Sequence, residues 1–119
     1  MPAARLRALI CAAAVWTALL PAAFAGPDPV TAPDRAAAGR EKFVQCASCH
    51  GADGRSTVIP QYPKIGGQSA PYVVNALKAY RDGRRQGTYA TMMAASAKTL
   101  TDDDIENLAA YVESLDTVQ

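Results

Sequence analysis

The strongest constraint on this chain is the five-residue run at positions 46–50, which is Cys-Ala-Ser-Cys-His. Two cysteines that are two residues apart and followed at once by a histidine form the attachment signature of a c-type haem. Each thiol can add across one haem vinyl group, and the histidine can then bind the iron as an axial ligand. The run therefore predicts one covalent haem on Cys46 and Cys49, with His50 as an iron ligand.

A Cys-x-x-Cys pair also occurs in zinc sites, thioredoxin-like redox sites and disulfides. Outside the run the chain has only Cys11, and His50 is its only histidine, so Cys and His ligands cannot complete a four-coordinate zinc site. A thioredoxin-like site belongs near a βαβ pattern, and the sequence has no strand-rich segment. A disulfide between Cys46 and Cys49 would be strained and would leave the histidine unexplained. Haem attachment is therefore favoured.

Residues 1–25 have the pattern of a secretory signal peptide. Arg5 and Arg7 form a positively charged start, residues 8–20 are apolar, and an Ala-Phe-Ala run ends at Ala25. This pattern predicts cleavage, export to the periplasm and a mature chain that starts with the next residue.

A retained membrane anchor is the alternative for this segment. A spanning helix needs about 20 apolar residues, and here Pro21 interrupts a shorter run. We therefore expect no membrane span in the mature chain. Cleavage would also remove Cys11.

The charge balance argues against a polyanionic partner. The chain has 12 Lys and Arg against 11 Asp and Glu, a net charge of +1. Nucleic-acid binding requires a basic patch, and none of sufficient size is present. Arg81, Arg84 and Arg85 do cluster, but a solvated loop face is the simplest interpretation of such a run.

The remainder of the chain predicts an all-α fold with three main helices and irregular loops. Residues 26–33 are rich in proline and indicate an extended N-terminal tail, which leaves 34–119 as one small domain. A polar residue precedes each predicted helix and can cap it. These residues are Asp34 for the helix that leads into the cysteines, Ser69 for the second helix and Thr101 for the last.

Two segments, 55–68 and 87–100, lack sustained periodicity and are predicted to be irregular. The three aspartates at 102–104 could suggest a metal site. Carboxylates are, however, favourable at a helix N-terminus without any metal, and this simpler interpretation is preferred.

A haem iron bound by His50 has a second axial position to fill. Methionine at that position suits low-spin electron transfer and raises the reduction potential. Met1 lies in the predicted leader, so Met92 and Met93 are the candidates. Their spacing from the haem motif does not indicate which of the two methionines binds the iron.

Several elements of the chain match one known family. They are Gly39, Phe43, the haem motif with Gly51, the Pro-Lys-Ile-Gly-Gly-Gln run at 63–68, Tyr72, the Tyr-Arg-Asp-Gly run at 80–83, Met93 and the segment 100–111. With these elements the chain resembles a class I cytochrome c, and more narrowly the cytochrome c4 and c553 group, from about residue 36 to residue 115. Cytochrome c4 proper has two such domains in tandem, whereas this chain has one, which favours a single-haem protein.

The resemblance implies a class I cytochrome c fold wrapped around one covalent haem c. In this family the ligand methionine lies seven positions before the leucine that precedes the last helix. Counting back from Leu100 selects Met93, with Met92 as the alternative. The resemblance also implies that the Pro63 carbonyl accepts a hydrogen bond from the His50 ring.

Two further implications concern packing and function. The first and last helices should cross closely at Gly39, with Phe43 against Tyr111. The implied function is electron transfer without bond chemistry, between partners such as a dehydrogenase, a cytochrome bc1-type complex or a terminal oxidase. The alternatives are a haem-bearing subunit of a larger oxidoreductase and a peroxide- or gas-binding haem protein. The latter would need polar groups at an open sixth position, and no spare histidine exists.

Overall fold

The computed structural model describes residues 30–115, so the predicted leader at 1–25 lies outside the described residues. The described part contains no strand and four helices. These are α1 (Ala32–His50), α2 (Ala70–Arg81), α3 (Ala90–Ala97) and α4 (Asp102–Ser114). The all-α prediction is confirmed. Within this part, no helix combines the length and the apolar composition that crossing a membrane requires.

Helix α1 begins at Ala32, three residues before the start expected after an Asp34 cap, so the end of the predicted tail is helical. The reason is a capping box. The Thr31 hydroxyl accepts a hydrogen bond from the Asp34 backbone N–H (3.4 Å), and the Asp34 carboxylate accepts one from the Thr31 N–H (3.3 Å). Asp34 is therefore the third residue of the helix and the acidic member of the box.

Helix α2 follows Ser69 as predicted, but the Ser69 hydroxyl makes no capping hydrogen bond. A carboxylate from another helix replaces it. Glu113 of α4 accepts a hydrogen bond from the Ala70 N–H at 3.0 Å, which places negative charge at the positive end of α2. The start of α2 is thus set by a tertiary contact.

Helix α3 corrects the prediction of an irregular segment over residues 87–100 and adds one short helix to the three main helices that were predicted. Its eight residues are four alanines, two methionines, a threonine and a serine. Alanine and methionine are strong helix formers, which explains the helix. The residue before it, Tyr89, makes no side-chain capping bond, so no start signal marks it in the sequence. This short helix carries both candidate methionines.

Helices α1 and α4 cross where Gly39 of α1 lies against Asn107 of α4. A Cβ at Gly39 would collide with the Asn107 carbonyl group and lie 2.9 Å from the Tyr111 Cβ. Beside this point, the Phe43 and Tyr111 rings meet edge to face, with centroids 5.1 Å apart. The close crossing that the resemblance implied is present. The core around it consists of Phe43, Ala97, Leu100, Ile105, Leu108, Ala109 and Val112.

The three aspartates at the start of α4 connect it to the other helices. Asp104 also completes a capping box with Thr101. The hydrogen bond from the Thr101 backbone and the contact with Lys42 hold the pKa of the Asp104 carboxyl below its usual range. Among the described residues there is no group of three His, Cys, Asp or Glu side chains that could hold a metal. The ion pairs are Asp102 with Arg81 (2.8 Å) and Lys78 (3.7 Å), Asp103 with Arg35 (3.9 Å) and Asp104 with Lys42 (3.0 Å).

The crossing predicts a stability cost for any side chain at Gly39. We expect Gly39→Ala to lower the free energy of unfolding by about 2–3 kcal/mol, because the backbone of α4 must move away. The higher helix propensity of alanine, worth about 1 kcal/mol, offsets only part of this cost. Denaturant unfolding of the haem-loaded protein measures the change.

Gly83→Ala is the matched control for this variant. Gly83 has a φ of +68°, and a Cβ added there would meet no atom within 4 Å, so only backbone strain of about 1–2 kcal/mol applies. A Gly39→Ala protein as stable as the wild type would contradict the crossing as the source of the cost.

Candidate haem site

The two cysteines and the histidine lie in the last turns of α1. Cys49 follows Cys46 by three positions and His50 follows it by four, which places all three residues on one face of the helix. All three line the same cavity. Gly51 ends the helix with a φ of +82°, and its N–H donates to the Ala47 carbonyl. The helix therefore presents both thiols and the imidazole to one space.

The segment after the helix is folded back by Asp53. Its Oδ1 accepts hydrogen bonds from the Arg55 N–H (2.8 Å) and the Ser56 N–H (2.7 Å), and its Oδ2 accepts one from the Ser56 hydroxyl (2.6 Å). These bonds, chiefly those from Ser56, lower the pKa of Asp53 to about 2. The Gly54 carbonyl then accepts from the N–H groups of Ile65 (2.7 Å) and Gly66 (2.9 Å), which closes the loop.

The closed loop brings the Pro63 carbonyl to His50. The distance from His50 Nδ1 to the Pro63 oxygen is 2.8 Å, and the histidine is only 6% exposed. Because a carbonyl can only accept, Nδ1 carries the proton and Nε2 has the lone pair. This arrangement fixes the ring and leaves one nitrogen available to a metal, as the hydrogen-bond partners of metal-bound histidines generally do.

The Asp53 turn predicts a pH-dependent contribution to stability. The pKa of Asp53 is lowered in the folded protein, so its contribution is complete above the unfolded value of 3.8 and disappears as the pH falls toward about 2. We expect Asp53→Asn to lower the denaturation midpoint at pH 6, and the difference from the wild type to shrink steadily below pH 4. The control is Asp103→Asn, since the Asp103 side chain is 88% exposed. If the difference in denaturation midpoint between Asp53→Asn and the wild type stays constant with pH, the Asp53 carboxylate is not its source.

The cavity lies between the end of α1, the 51–69 loop, α2, α3 and the buried face of α4. It and its mouth enclose about 1310 Å³ of space that protein atoms do not fill, part of it open to solvent. Most of its lining is apolar or aromatic. Met92 and Met93 of α3 line it together with the cysteines and His50. A thioether, an imidazole nitrogen and two thiols around an apolar cavity fit a covalently bound haem in its donor set and its polarity.

Cys46 does not have the properties of a redox-active thiol. It forms no disulfide with any described residue and is half-buried, and burial with the neighbouring Cys49 raises the pKa of Cys46 to about 11. Catalytic thiols in Cys-x-x-Cys motifs instead have lowered pKa values, because the thiolate is the reactive form. This difference disfavours thioredoxin-like chemistry.

Sequence patterns did not identify Tyr62 and Tyr89, two aromatic residues of the cavity. The Tyr62 ring lies 5.2 Å from the Tyr89 ring and 6.5 Å from the His50 ring, measured between centroids, and its hydroxyl is 3.9 Å from the Met92 sulfur. Tyr62 thus connects the 51–69 loop to α3. These contacts join distant parts of the chain, so no local motif could have predicted them.

The arginine cluster also differs from its predicted role as a solvated loop face. Arg84 is exposed as predicted and pairs with Asp82 at 2.9 Å. Arg81 is only 24% exposed and donates to the Leu100 carbonyl as well as to a carboxylate of α4. Arg85 lines the haem cavity.

Comparison with known proteins agrees with this geometry. The Cytochrome c family model matches residues 36–116. Cytochrome c-554(548) of Halomonas halodenitrificans is 48% identical over 79 residues, which cover 66% of this chain and 94% of that protein. Cytochrome c4 of Pseudomonas aeruginosa is 38% identical over 66% of this chain and 37% of its own length. The cytochrome subunit of sulfide dehydrogenase of Chlorobaculum tepidum is 34% identical over 73% of this chain and 74% of its own length.

The matched region contains the haem motif, the Pro63 loop, both methionines and the α1–α4 crossing. It includes nearly all of the described residues, so the match extends well beyond a short motif. The single Cys-x-x-Cys-His run corresponds to one covalent haem c. This chain is therefore a member of the cytochrome c family, a class I cytochrome c that carries electrons on a covalently bound haem.

Proposed function

We propose that this protein is a periplasmic single-haem electron carrier, with thioether bonds to Cys46 and Cys49 and with His50 and Met93 as the axial iron ligands. The observation that carries the proposal is the placement of α1 and α3 around one cavity. Helix α1 presents the thiols and the imidazole, and α3 presents the methionines. When bound, the haem supplies an iron that accepts and releases one electron.

The protein side chains keep the site rigid. The Pro63 carbonyl holds the His50 ring through Nδ1, so the imidazole does not reorient. The mostly apolar lining would keep water away from the enclosed part of a bound haem. If His50 and Met93 both held the iron, the protein would supply the same two ligands in either oxidation state, and little would need to rearrange during electron transfer.

Burial supports Met93 over Met92 as the axial ligand. Met92 is 49% exposed and its sulfur contacts the Tyr62 hydroxyl, whereas Met93 is half-buried. A sulfur that binds iron must face the closed part of the cavity. The register of the cytochrome c4 and c553 group favours the same residue.

Export to the periplasm is supported by the leader pattern at 1–25, which precedes a domain whose haem requires attachment outside the cytoplasm in bacteria. The proposed partners are redox proteins of respiratory or dehydrogenase systems. A relative named as the cytochrome subunit of sulfide dehydrogenase favours the second candidate, a haem-bearing subunit of a larger oxidoreductase. Both candidates use the same site for the same one-electron step.

Spectroscopy of the protein purified with its haem tests the proposed ligation. We expect a sharp low-spin spectrum when reduced and the weak near-infrared band of methionine–iron ligation when oxidised. Rapid binding of carbon monoxide by the reduced protein at neutral pH would instead indicate an open sixth position and a gas- or peroxide-binding role. Sequencing of the periplasmic form should give Gly26 as the first residue. A periplasmic form that still contains residues 1–25 would contradict cleavage.

A further inference from the structure

Arg85 has a different environment from the two other arginines near the end of α2. Arg81 binds Asp102 at 2.8 Å and Arg84 binds Asp82 at 2.9 Å. Within residues 30–115, no carboxylate lies within ion-pair distance of Arg85. Its guanidinium contacts neutral groups from α2 instead. Nη2 donates to the Tyr72 hydroxyl at 3.3 Å, and Cζ lies 4.8 Å from the centroid of the Tyr80 ring.

Arg85 is also the only charged side chain among the described residues that line the haem cavity. A cation beside apolar groups loses hydration, and it is stabilised when an anion takes the place of water. The hydrogen bond with Tyr72 raises the pKa of Arg85 and burial opposes this, so the guanidinium stays charged. The position thus supplies a fixed positive charge with no carboxylate partner among the described residues.

We propose that Arg85 binds one of the two propionate groups of the haem, with Tyr72 as a second donor to the same carboxylate. This inference rests on the proposed function, since it requires the haem in the cavity. A guanidinium matches a carboxylate with two parallel N–H donors. Because the Tyr72 oxygen already accepts a hydrogen bond from Arg85, its own O–H is available to donate. Two donor groups that already touch each other then hold one carboxylate.

The pairing has a consequence for the redox chemistry. A nearby opposite charge lowers the pKa of a carboxyl group by about one to three units, so Arg85 keeps the propionate ionised at neutral pH in both oxidation states of the iron. Electron uptake then involves no proton on this propionate, so this propionate adds no pH dependence to the potential in that range. Without Arg85 the propionate lies beside the apolar lining with no cation near it, and this desolvation raises its pKa above the ordinary carboxyl range. The rise is larger in the reduced protein, whose iron carries one less positive charge. This propionate then has a higher pKa in the reduced protein than in the oxidised protein. Between those two pKa values the reduction potential should fall as the pH rises.

Other titratable groups around the cavity do not produce this behaviour between about pH 5 and pH 8. The cysteines are consumed in thioether bonds and His50 is bound to iron. The remaining groups are phenols, which as a class are neutral across this range. They are Tyr62 on the loop, Tyr72 and Tyr80 on α2, and Tyr89 before α3.

Redox titration across this pH range tests the assignment with Arg85→Gln, Arg85→Lys and the matched control Arg84→Gln. We expect Arg85→Gln to raise the pKa of one propionate by about one to three units and to make the potential depend on pH. Arg85→Lys and Arg84→Gln should behave as the wild type. Equal effects of Arg85→Gln and Arg84→Gln, or no effect of Arg85→Gln, would overturn the assignment.

A second measurement uses only the wild-type protein, in case the glutamine variant does not retain haem. Infrared spectra of protein with isotope-labelled propionates report the protonation of each carboxylate. We expect one propionate to stay ionised at a pH where the other is protonated. Titration of both at an ordinary carboxyl value would overturn the inference. The low-spin spectrum and the near-infrared band would be unaffected by that outcome, so the proposed function would stand.

Discussion

Replacing both Cys46 and Cys49 with alanine should give a chain that retains no haem after denaturation and is largely unfolded at room temperature. The first effect follows from the loss of both thioether bonds. The second follows from the small protein core. In the described part only seven apolar side chains are buried, and three of them, Phe43, Leu108 and Val112, form part of the cavity wall. Domains of this size commonly depend on a bound group for stability, and here the haem fills the remaining space.

Two measurements check this prediction. Haem that remains with the polypeptide on a denaturing gel reports covalent attachment, and far-ultraviolet circular dichroism reports the helices. Ser48→Ala is the matched control within the motif, because Ser48 is exposed and its hydroxyl bonds only to local groups. It should keep haem and helix content. Covalent haem on the double variant would show that attachment uses other residues.

The single variants separate the two roles of the cysteines. Cys46→Ala or Cys49→Ala should each leave one thioether bond and therefore one covalent connection. We expect such proteins to keep their axial ligands, since His50 is positioned by Pro63 and not by the thiols. Their stability should lie between that of the wild type and that of the double variant.

The sequence predicted most of the helical structure because three helices have local signals. The starts of α2 and α4 follow predicted capping residues, and the start of α1 was misplaced by only three residues because Asp34 acts inside a capping box. Helix α3 has neither a polar cap nor an amphipathic pattern, and its formation depends on alanine and methionine propensity. Strong propensity without a boundary signal is difficult to distinguish from a loop.

The site residues likewise fall into those that a local motif predicts and those whose position depends on the tertiary fold. The cysteines and His50 form a contiguous motif, so their shared purpose could be inferred from spacing alone. The positions of Pro63, Tyr62 and Arg85 depend on how the 51–69 loop and α2 fold around the cavity. Pro63 was expected only from resemblance to a family. The environment of Arg85 could not be distinguished from that of Arg84 by any pattern, since the two are adjacent in sequence and differ in which surface they face.

Replacing Met93 with alanine should abolish the near-infrared band, lower the reduction potential and open the iron to carbon monoxide. The physical reason is the loss of the thioether sulfur, whose weak donation favours the reduced iron. The protein should keep its haem and its fold, because the thioether bonds, His50 and the α1–α4 crossing are untouched. Absorption spectroscopy and redox titration of the purified variant measure these effects.

Met92→Ala is the matched control, since it removes the same side chain one position away. Successive residues on a helix point about 100° apart, so only one of the two sulfurs can face the iron at a time. Met92 is 49% exposed, and its sulfur lies 3.9 Å from the Tyr62 hydroxyl. Its loss should leave the band in place and change stability by less than about 1 kcal/mol. If Met92→Ala abolishes the band and Met93→Ala does not, α3 is rotated by one residue in the haem-loaded protein, and Met92 is the axial ligand.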